Sequence, residues 1–262
     1  MFIGGLFHPV VHNAWILWYL LLMEKPKAAV FDLDETLAES FQPPKPEMVA
    51  RLNTLLAFMP VAIMTGAGFE RVNTEVLVQM PHITSNFYLF PNSSSQCYLY
   101  EGGVWRMQYN NVLSQEERAQ IRKALEECMV ELDVIRDTTS YGEQIIDREA
   151  QIAFTVVGIE APQAIKHGWD PDGSKRHIIA EYLKGKLGGF DVLIGGASTI
   201  DITRKDINKA YGVRWLATRL NLLPSDMLYV GDALYEGGND AVVIPTGIRT
   251  LSVESPADTE KR

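Results

Sequence analysis

The sequence predicts an α/β fold: a Rossmann-like, doubly wound parallel sheet into which a second, α+β domain is inserted. From Lys27 onward, short apolar runs that end in acidic residues or glycine alternate with helical segments. The middle of the chain is instead aromatic, glycine-punctuated and rich in strands, and the alternating pattern then returns. Alternation of strands and helices is typical of a parallel sheet covered by helices, so its interruption indicates an inserted domain.

The first part of the sheet is predicted from three apolar runs. Residues 27–33 (KAAVFDL) and 60–66 (PVAIMTG) have the continuous apolar pattern of buried parallel strands, and residues 86–90 (NFYLF) form a third. Helical segments separate these strands, the first of them opened by Pro46. We assign this strand–helix series to the first segment of the core, residues 24–92.

The inserted domain is predicted to span residues 93–199. Residues 94–110 have the pattern of an antiparallel hairpin. Ser114 and Glu117 form a capping box that opens a helix. Further strands are predicted in three apolar segments, residues 151–158, 190–196 and 198–203.

The parallel pattern resumes in residues 200–262, the second segment of the core. A helix is predicted from about Ile207 to Leu220, and MLYVGD at 227–232 has the pattern of another buried strand. Two short strands are predicted to follow, at residues 241–245 and 250–253.

The composition is that of a soluble globular enzyme. Hydrophobic residues make up 47% and charged residues 22% of the chain, unlike a disordered or fibrous protein. The formal net charge of −9 disfavours sequence-independent binding to nucleic acid. Two cysteines, Cys97 and Cys128, are too few for a disulfide framework or a zinc site and suit a reducing cytoplasm.

Residues 1–23 contain no Lys, Arg, Asp or Glu and include the apolar run AWILWYLLLM. They lack the positive region and cleavage site of a signal peptide. The uninterrupted run of ten residues is also short beside the roughly 20 that a membrane span needs. We interpret the segment as an upstream translated extension, with Met23 as a candidate start, and a membrane association is not expected. A membrane anchor and an additional docked helix are the alternatives.

Two acidic residues end the first predicted strand. The run AVFDLDETL places Asp32 and Asp34 at its carboxyl end, with Thr36 just beyond, and ligands of open parallel sheets bind at that end. Two carboxylates so close together need a cation, and magnesium fits their oxygen atoms. Asp32 is then a candidate nucleophile toward a phosphoryl group, and Asp34 a candidate proton donor and base. A polar strand terminus with a helix cap is the alternative interpretation.

Three further elements fall at strand or helix ends. Thr65 ends the second strand, where its hydroxyl and the amides from Gly66 onward can hold a phosphate oxygen. Lys209 lies near the start of a helix, where a cation gains nothing from the helix dipole but can neutralise phosphate. Asp232 ends the strand at 227–232, and Asn239 and Asp240 follow a glycine turn. Each is weak evidence singly, but together they predict one site.

These elements resemble the haloacid dehalogenase (HAD) superfamily of phosphotransferases. The resemblance rests on D-x-D-x-T, the strand-ending Thr, the lone Lys and the G-D…N-D strand end, and it extends over nearly all residues from Lys27 onward. An α+β cap between the second and third motifs is similar to subclass IIB, which includes sugar-phosphate phosphatases and eukaryotic-type phosphomannomutases. The stretch IGGASTIDI resembles the cap-to-core segment of the mutases.

The resemblance implies roles for the matching residues. Asp32 is the expected nucleophile and a magnesium ligand. Asp34 is the expected acid and base, and its backbone carbonyl is a further ligand. Thr65 and Lys209 are expected to bind the transferring phosphate, and Asp232 to be the third protein ligand of the metal.

The resemblance also implies supporting residues and residues of the cap that contact substrate. Asn239 and Asp240 are expected to position Asp232, Lys209 or a metal-bound water. In the cap, Arg148, Thr199 and Asp201 are the candidate substrate contacts.

Two positions depart from the mutases. The strand DREAQIAFTVVGI resembles a mutase strand with an arginine at each end, but here the ends are Arg148 and Ile159. A further mutase arginine corresponds to Phe41. A hexose-phosphate mutase must hold the distal phosphate while the sugar turns over, and arginine suits that task. With two of three such arginines absent, simple hydrolysis is favoured.

The sequence therefore predicts a magnesium-dependent phosphatase that hydrolyses a small phosphorylated metabolite, a sugar phosphate, through an aspartyl phosphate. A phosphohexomutase that uses a bisphosphate intermediate and an inactive sugar-phosphate-binding regulator are the alternatives. Both enzymatic interpretations require Asp32 and Asp232, 200 positions apart in the chain, to meet in space at one divalent cation.

Overall fold

The structure is a computed structural model and describes residues 25–80 and 83–262. The interpretation of residues 1–23 therefore concerns residues outside the described ranges. The strands of the described residues are β1 (Ala28–Phe31), β2 (Val61–Met64), β3 (Phe87–Phe90), β4 (Gln96–Glu101), β5 (Val104–Asn110), β6 (Ile145–Asp147), β7 (Ile152–Thr155), β8 (Phe190–Ile194), β9 (Thr199–Arg204), β10 (Met227–Gly231) and β11 (Arg249–Ser252).

The α-helices of the same residues are α1 (Pro46–Leu56), α2 (Phe69–Glu75), α3 (Gln115–Glu131), α4 (Asp133–Arg136), α5 (Gln163–Trp169), α6 (Ser174–Lys186), α7 (Lys209–Leu220) and α8 (Pro256–Lys261). Short 3₁₀ helices occupy Leu77–Gln79, Pro224–Asp226 and Ala241–Thr246, and a four-residue turn, Pro91–Ser94, follows β3. Within residues 25–80 and 83–262, no helix is long and apolar enough to cross a membrane.

The core is a seven-stranded sheet of order β11-β10-β1-β2-β3-β4-β5. Strands β11, β10, β1, β2 and β3 are parallel, and β1 lies between β10 and β2. Apolar clusters cover both faces of this sheet, as the uninterrupted apolar runs predict for buried parallel strands. The carboxyl ends of β1, β2 and β10 consequently lie side by side at one edge, and the α/β fold class is confirmed.

The hairpin β4–β5 belongs to the core sheet and not to the inserted domain. Strand β4 pairs antiparallel with β3, through Tyr88 and Leu99, and Tyr98 stacks on Phe69 of α2. The predicted boundary at residue 93 is therefore wrong. A hairpin pattern shows that two strands pair with each other, but it does not show which sheet their free edge joins.

The cap has its own four-stranded antiparallel sheet of order β6-β7-β9-β8. Helices α3 and α6 bury their apolar faces against it, and the predicted capping box of Ser114 and Glu117 opens α3. Because β9 runs from Thr199 to Arg204 in this sheet, the predicted boundary at residue 199 is also wrong. The cap's apolar cluster begins at Leu113, and the core resumes only after β9.

One predicted strand is a helix. Residues 241–245, predicted to be extended, form the 3₁₀ helix Ala241–Thr246, which packs against α7. Strand β10 already has β1 on one side and β11 on the other, so the short apolar run has no free strand edge beside β10. The strand predicted at 250–253 is present as β11.

Candidate active site

Three carboxylates from two neighbouring strand ends form one cluster. Asp32 follows β1 and Asp232 follows β10, and the register pairs Phe31 with Val230 just before them. Carboxylate oxygens of Asp32, Asp232 and Asp240 lie within 4.8 Å of one another. The structure thus brings Asp32 and Asp232 together, as the magnesium hypothesis requires.

The surroundings of the cluster make it energetically unfavourable for its carboxyl groups to be ionised. Burial raises the pKa of Asp32 well above its ordinary value, and the neighbouring Asp240 and Asp232 add to this while Lys209 opposes it. Burial likewise raises the pKa of Asp232 to about 6, with a further contribution from Asp240. A divalent cation would relieve both burial and repulsion, and an oxygen-only donor set suits Mg²⁺. The residues present therefore fit magnesium.

Lys209 is a completely buried cation at the start of α7. Its Nζ donates to Asp32 Oδ1 at 2.7 Å and to Asp240 Oδ1 at 2.6 Å. Burial works against the charge of Lys209, but Asp240 and Asp32 outweigh it and raise its pKa. Asp240 also accepts hydrogen bonds from the Tyr229 hydroxyl and the Ala233 amide, so Asp240 is fixed in place and holds Lys209 against the nucleophile candidate.

The side chain of Asp34 lies outside this cluster among the described residues and binds an arginine instead. Arg71 Nη2 and Nη1 donate to its two carboxylate oxygens at 2.6 and 3.0 Å, and the Phe41 amide donates to Oδ1 at 3.3 Å. Sequence reasoning missed Arg71. It precedes Glu75 by four residues on α2, a spacing typical of a solvent-exposed ion pair, and no local signal links it to Asp34.

Thr65 and Gly66 follow β2 as predicted, but their surroundings differ. Thr65 is fully buried, and its hydroxyl accepts a hydrogen bond from the Ala67 amide at 3.0 Å, so it shapes the loop. Gly66 lines the cavity, and a Cβ there would lie 2.6 Å from Asp201 Oδ2 of the cap. Glycine is therefore needed because the cap approaches the loop so closely.

A cavity of about 440 Å³ lies between core and cap, over the carboxylate cluster. Eight of the predicted site residues line it: Asp32, Asp34, Gly66, Arg148, Thr199, Asp201, Asp232 and Asn239. The three other predicted residues, Thr65, Lys209 and Asp240, are completely buried and do not line it. The cavity is large enough for a small metabolite.

Arg148 and Asp201 of the cap reach the side of this cavity that Gly66 lines. Arg148 Nη1 donates to the Gly66 carbonyl at 2.6 Å, and Ser93 Oγ donates to Asp201 Oδ2 at 3.5 Å. Burial raises the pKa of Asp201 to about 6, against the opposing charges of Arg148 and Lys209.

We expect Asp201→Asn to change how stability depends on pH. A carboxyl whose pKa is about 6 in the folded protein and 3.8 ordinarily stabilises the fold below about pH 4, and this contribution disappears as the pH rises through 6. The loss amounts to about 3 kcal/mol. Because asparagine does not ionise, the variant should gain about that much relative to the wild type between pH 4 and 7.5, measured by guanidinium unfolding.

A matched control for this pH effect is Asp226→Asn. Lys27 donates to Asp226 at 2.9 Å and lowers its pKa, so that carboxylate stabilises the fold at high pH and the contribution is lost on acidification. Relative to the wild type, Asp226→Asn should therefore lose stability between pH 4 and 7.5, whereas Asp201→Asn should gain it. If Asp201→Asn changed the free energy of unfolding by the same amount at pH 4 and pH 7.5, the raised pKa of Asp201 would be contradicted.

Phe41 and Ile159, the positions without the mutase arginines, are flanked by other cations. Phe41 has a left-handed backbone, with φ of 60°, and its ring lies 4.4 Å from Arg71 Cζ and 3.7 Å from Lys166 Nζ, measured to the ring centroid. Lys166 Nζ donates to the Ile159 carbonyl at 2.9 Å. Neither cation could be assigned to this corner from the sequence.

No protein-family model matches the chain. The chain is 24% identical over 241 residues to a phosphomannomutase of Spinacia oleracea, a match that covers 89% of this chain and 93% of that protein. Among solved structures, a haloacid dehalogenase-like hydrolase of Bacteroides thetaiotaomicron has a TM-score of 0.56 at 15% identity, covering 85% of this chain and 86% of that one. The chain is thus similar in sequence to a phosphomannomutase and in fold to a haloacid dehalogenase-like hydrolase.

Another HAD-fold neighbour is the N-terminally truncated, IMP-bound IMP-nucleotidase of Plasmodium falciparum. It has a TM-score of 0.68 at 19% identity, and the match covers 92% of this chain and 68% of that one. The predicted resemblance to phosphomannomutases and sugar-phosphate phosphatases of the superfamily is thus confirmed.

Proposed function

We propose that this protein is a magnesium-dependent phosphatase of the HAD superfamily that hydrolyses a small sugar phosphate through an aspartyl phosphate on Asp32. That it is an enzyme acting on phosphoesters is supported by its relatives. The observation that carries the finer proposal is the buried carboxylate cluster beneath the cavity, with Lys209 bound to Asp32 and Asp240. In an otherwise apolar sheet, such a costly arrangement indicates chemistry and not stability.

Asp32 and Asp232 are the residues that would hold magnesium, which when bound would neutralise negative charge on the transferring phosphate. In the first step, an oxygen of Asp32 forms a bond to phosphorus while the ester P–O bond breaks. The leaving oxygen takes a proton from Asp34. In the second step, Asp34 takes a proton from water, whose oxygen attacks phosphorus and displaces Asp32 with release of phosphate.

Lys209 and the cap support these steps in different ways. The ammonium of Lys209 keeps Asp32 oriented and favours its ionised form, which is the nucleophile. The cap residues Thr199 and Asp201 line the cavity above the strand ends, where they supply contacts for the sugar and limit the space for bulk water.

A phosphohexomutase is the second candidate, because the curated relative is a phosphomannomutase. Hydrolysis is favoured by Phe41 and Ile159, which stand where two of the mutase arginines are expected. A silent sugar-phosphate-binding regulator would keep the cavity but release no phosphate.

Removal of the metal tests the proposal. With Mg²⁺ present, the protein should release inorganic phosphate from a panel of phosphorylated sugars, and a chelator should lower the rate by more than about 100-fold. Readdition of Mg²⁺ should restore the rate. Phosphate release at an unchanged rate in the presence of the chelator would contradict the proposed role of the carboxylate cluster in holding magnesium.

The same preparation separates the two candidate reactions. Mannose 1-phosphate is incubated with a hexose bisphosphate, and both free phosphate and isomerised sugar are quantified. Free phosphate supports hydrolysis, isomerised sugar supports the mutase, and neither product from any sugar phosphate supports the regulator.

A further inference from the structure

Asp34 cannot act as acid or base in the arrangement that the structure shows. Both carboxylate oxygens accept hydrogen bonds from the two terminal nitrogens of Arg71, and one of them accepts a third from the Phe41 amide. A general acid must turn an oxygen toward the leaving group. The pair between Arg71 and Asp34 therefore has to open during turnover.

Arg71 cannot simply withdraw into solvent when the pair opens. Its Nε donates to Glu75 Oε2 at 2.8 Å, and its side chain is only 18% exposed. Because its terminal nitrogens lie at the cavity, opening the pair leaves a largely desolvated guanidinium without a partner there. Such a charge is costly unless another anion replaces the one that leaves.

The same corner holds further positive charge. Lys166 is buried and Arg148 is half-buried, and within residues 25–80 and 83–262 neither has a carboxylate oxygen within 4.0 Å. Their recorded hydrogen bonds go to the Gly66 and Ile159 carbonyls and to Gln151. Burial and then repulsion from Arg71 lower the pKa of Lys166. Because neither Arg148 nor Lys166 forms an ion pair in the described part of the chain, these two cations add to the attraction of Arg71 for an incoming anion.

We propose that Arg71 binds a carboxylate of the substrate, in the place that Asp34 occupies in this structure. The guanidinium fork already holds a carboxylate in two-point geometry, which is the geometry it selects. Binding of the substrate carboxylate releases Asp34 for proton transfer. This inference rests on the proposed function, and it narrows the substrate class to phosphomonoesters of carboxylic acids, such as phosphorylated sugar acids.

Binding of two unreactive phosphonates tests the site without any turnover. 3-Phosphonopropionate carries a carboxylate, and propylphosphonate has a methyl group in its place. In calorimetric titrations with Mg²⁺, the carboxylate compound should bind the wild type at least about tenfold more tightly. In Arg71→Gln this preference should disappear while propylphosphonate still binds, which also shows that the variant is folded.

Lys175→Met is the matched control. Lys175 is a cation of the cap whose Nζ donates to the Trp169 carbonyl and lies 5.1 Å from the Trp169 ring centroid, and unlike Arg71 it does not line the active-site cavity. The Lys175→Met variant should keep the full preference for 3-phosphonopropionate over propylphosphonate. Equal binding of the two phosphonates by the wild type, or a preference that survives in Arg71→Gln, would overturn the proposal.

Turnover gives an independent measurement. Phosphate release from 3-phosphoglycerate should exceed that from glycerol 3-phosphate in kcat/KM, and Arg71→Gln should abolish the difference. A residue that only positions Asp34 would lower both rates equally, which would contradict a substrate contact. If neither compound is hydrolysed but the phosphonate preference is found, the phosphatase proposal fails and the carboxylate site stands.

Discussion

Asp32→Asn is expected to lower kcat for phosphate release by more than about 10³-fold. An amide oxygen is a poor nucleophile toward phosphorus, whereas the carboxylate of Asp32 lies at the cavity wall with Lys209 beside it. The fold should persist, because asparagine has the same shape and its Oδ1 can still accept the hydrogen bond from Lys209. The measurements are kcat at saturating substrate and the free energy of unfolding.

Asp226→Asn is a matched control for this variant. Asp226 precedes β10 at the opposite edge of the same sheet and accepts a hydrogen bond from Lys27 at 2.9 Å, as Asp32 does from Lys209 at 2.7 Å. The Asp226→Asn variant should release phosphate at the wild-type rate. An Asp32→Asn enzyme with wild-type kcat would exclude Asp32 as the nucleophile.

Lys209→Met is expected to lower the free energy of unfolding by about 3–5 kcal/mol in the absence of magnesium. The change removes the cation between Asp32 and Asp240 and leaves both carboxylates, with Asp232 beside them, in a buried site. Added Mg²⁺ should restore part of the stability by supplying positive charge to the same carboxylates. Guanidinium unfolding with and without Mg²⁺ measures both effects.

Lys27→Met serves as the control for Lys209→Met. The side chain of Lys27 is 54% exposed where it meets Asp226, and exposed pairs contribute less than about 1 kcal/mol. The two lysines thus differ in burial while both bind a carboxylate at a strand end. Similar, small losses in the two variants would show that the carboxylate cluster does not depend on Lys209.

The parts of the site that follow strand ends were predictable from the sequence. Asp32, Gly66 and Asp232 each come directly or almost directly after a buried apolar run, and parallel strands bring those positions to one edge. Arg71 was not predictable, because its contact with Asp34 depends on how α2 is placed against the loop after β1. Lys166 was not predictable either, since its position depends on the docking of the cap.

The fold class was predictable for the same reason, but the domain boundaries were not. Hydrophobic periodicity indicates whether a segment is a strand, while sheet membership depends on which edge is open. Tyr98 and Leu99 join the core, and Thr199 joins the cap, through contacts with residues distant in sequence. Local patterns do not encode those contacts.

The insertion of the cap also determines when the carboxylate cluster can form as the chain is synthesised. Strand β1 needs β10 as a neighbour, and Lys209 and Asp232 are translated after the whole cap. A nascent chain that has completed β1 to β5 exposes one edge of β1 and carries Asp32 without Lys209 and Asp232. Ribosome-bound chains should therefore acquire activity only near the end of translation, so that no active fragment is released before the cap is in place.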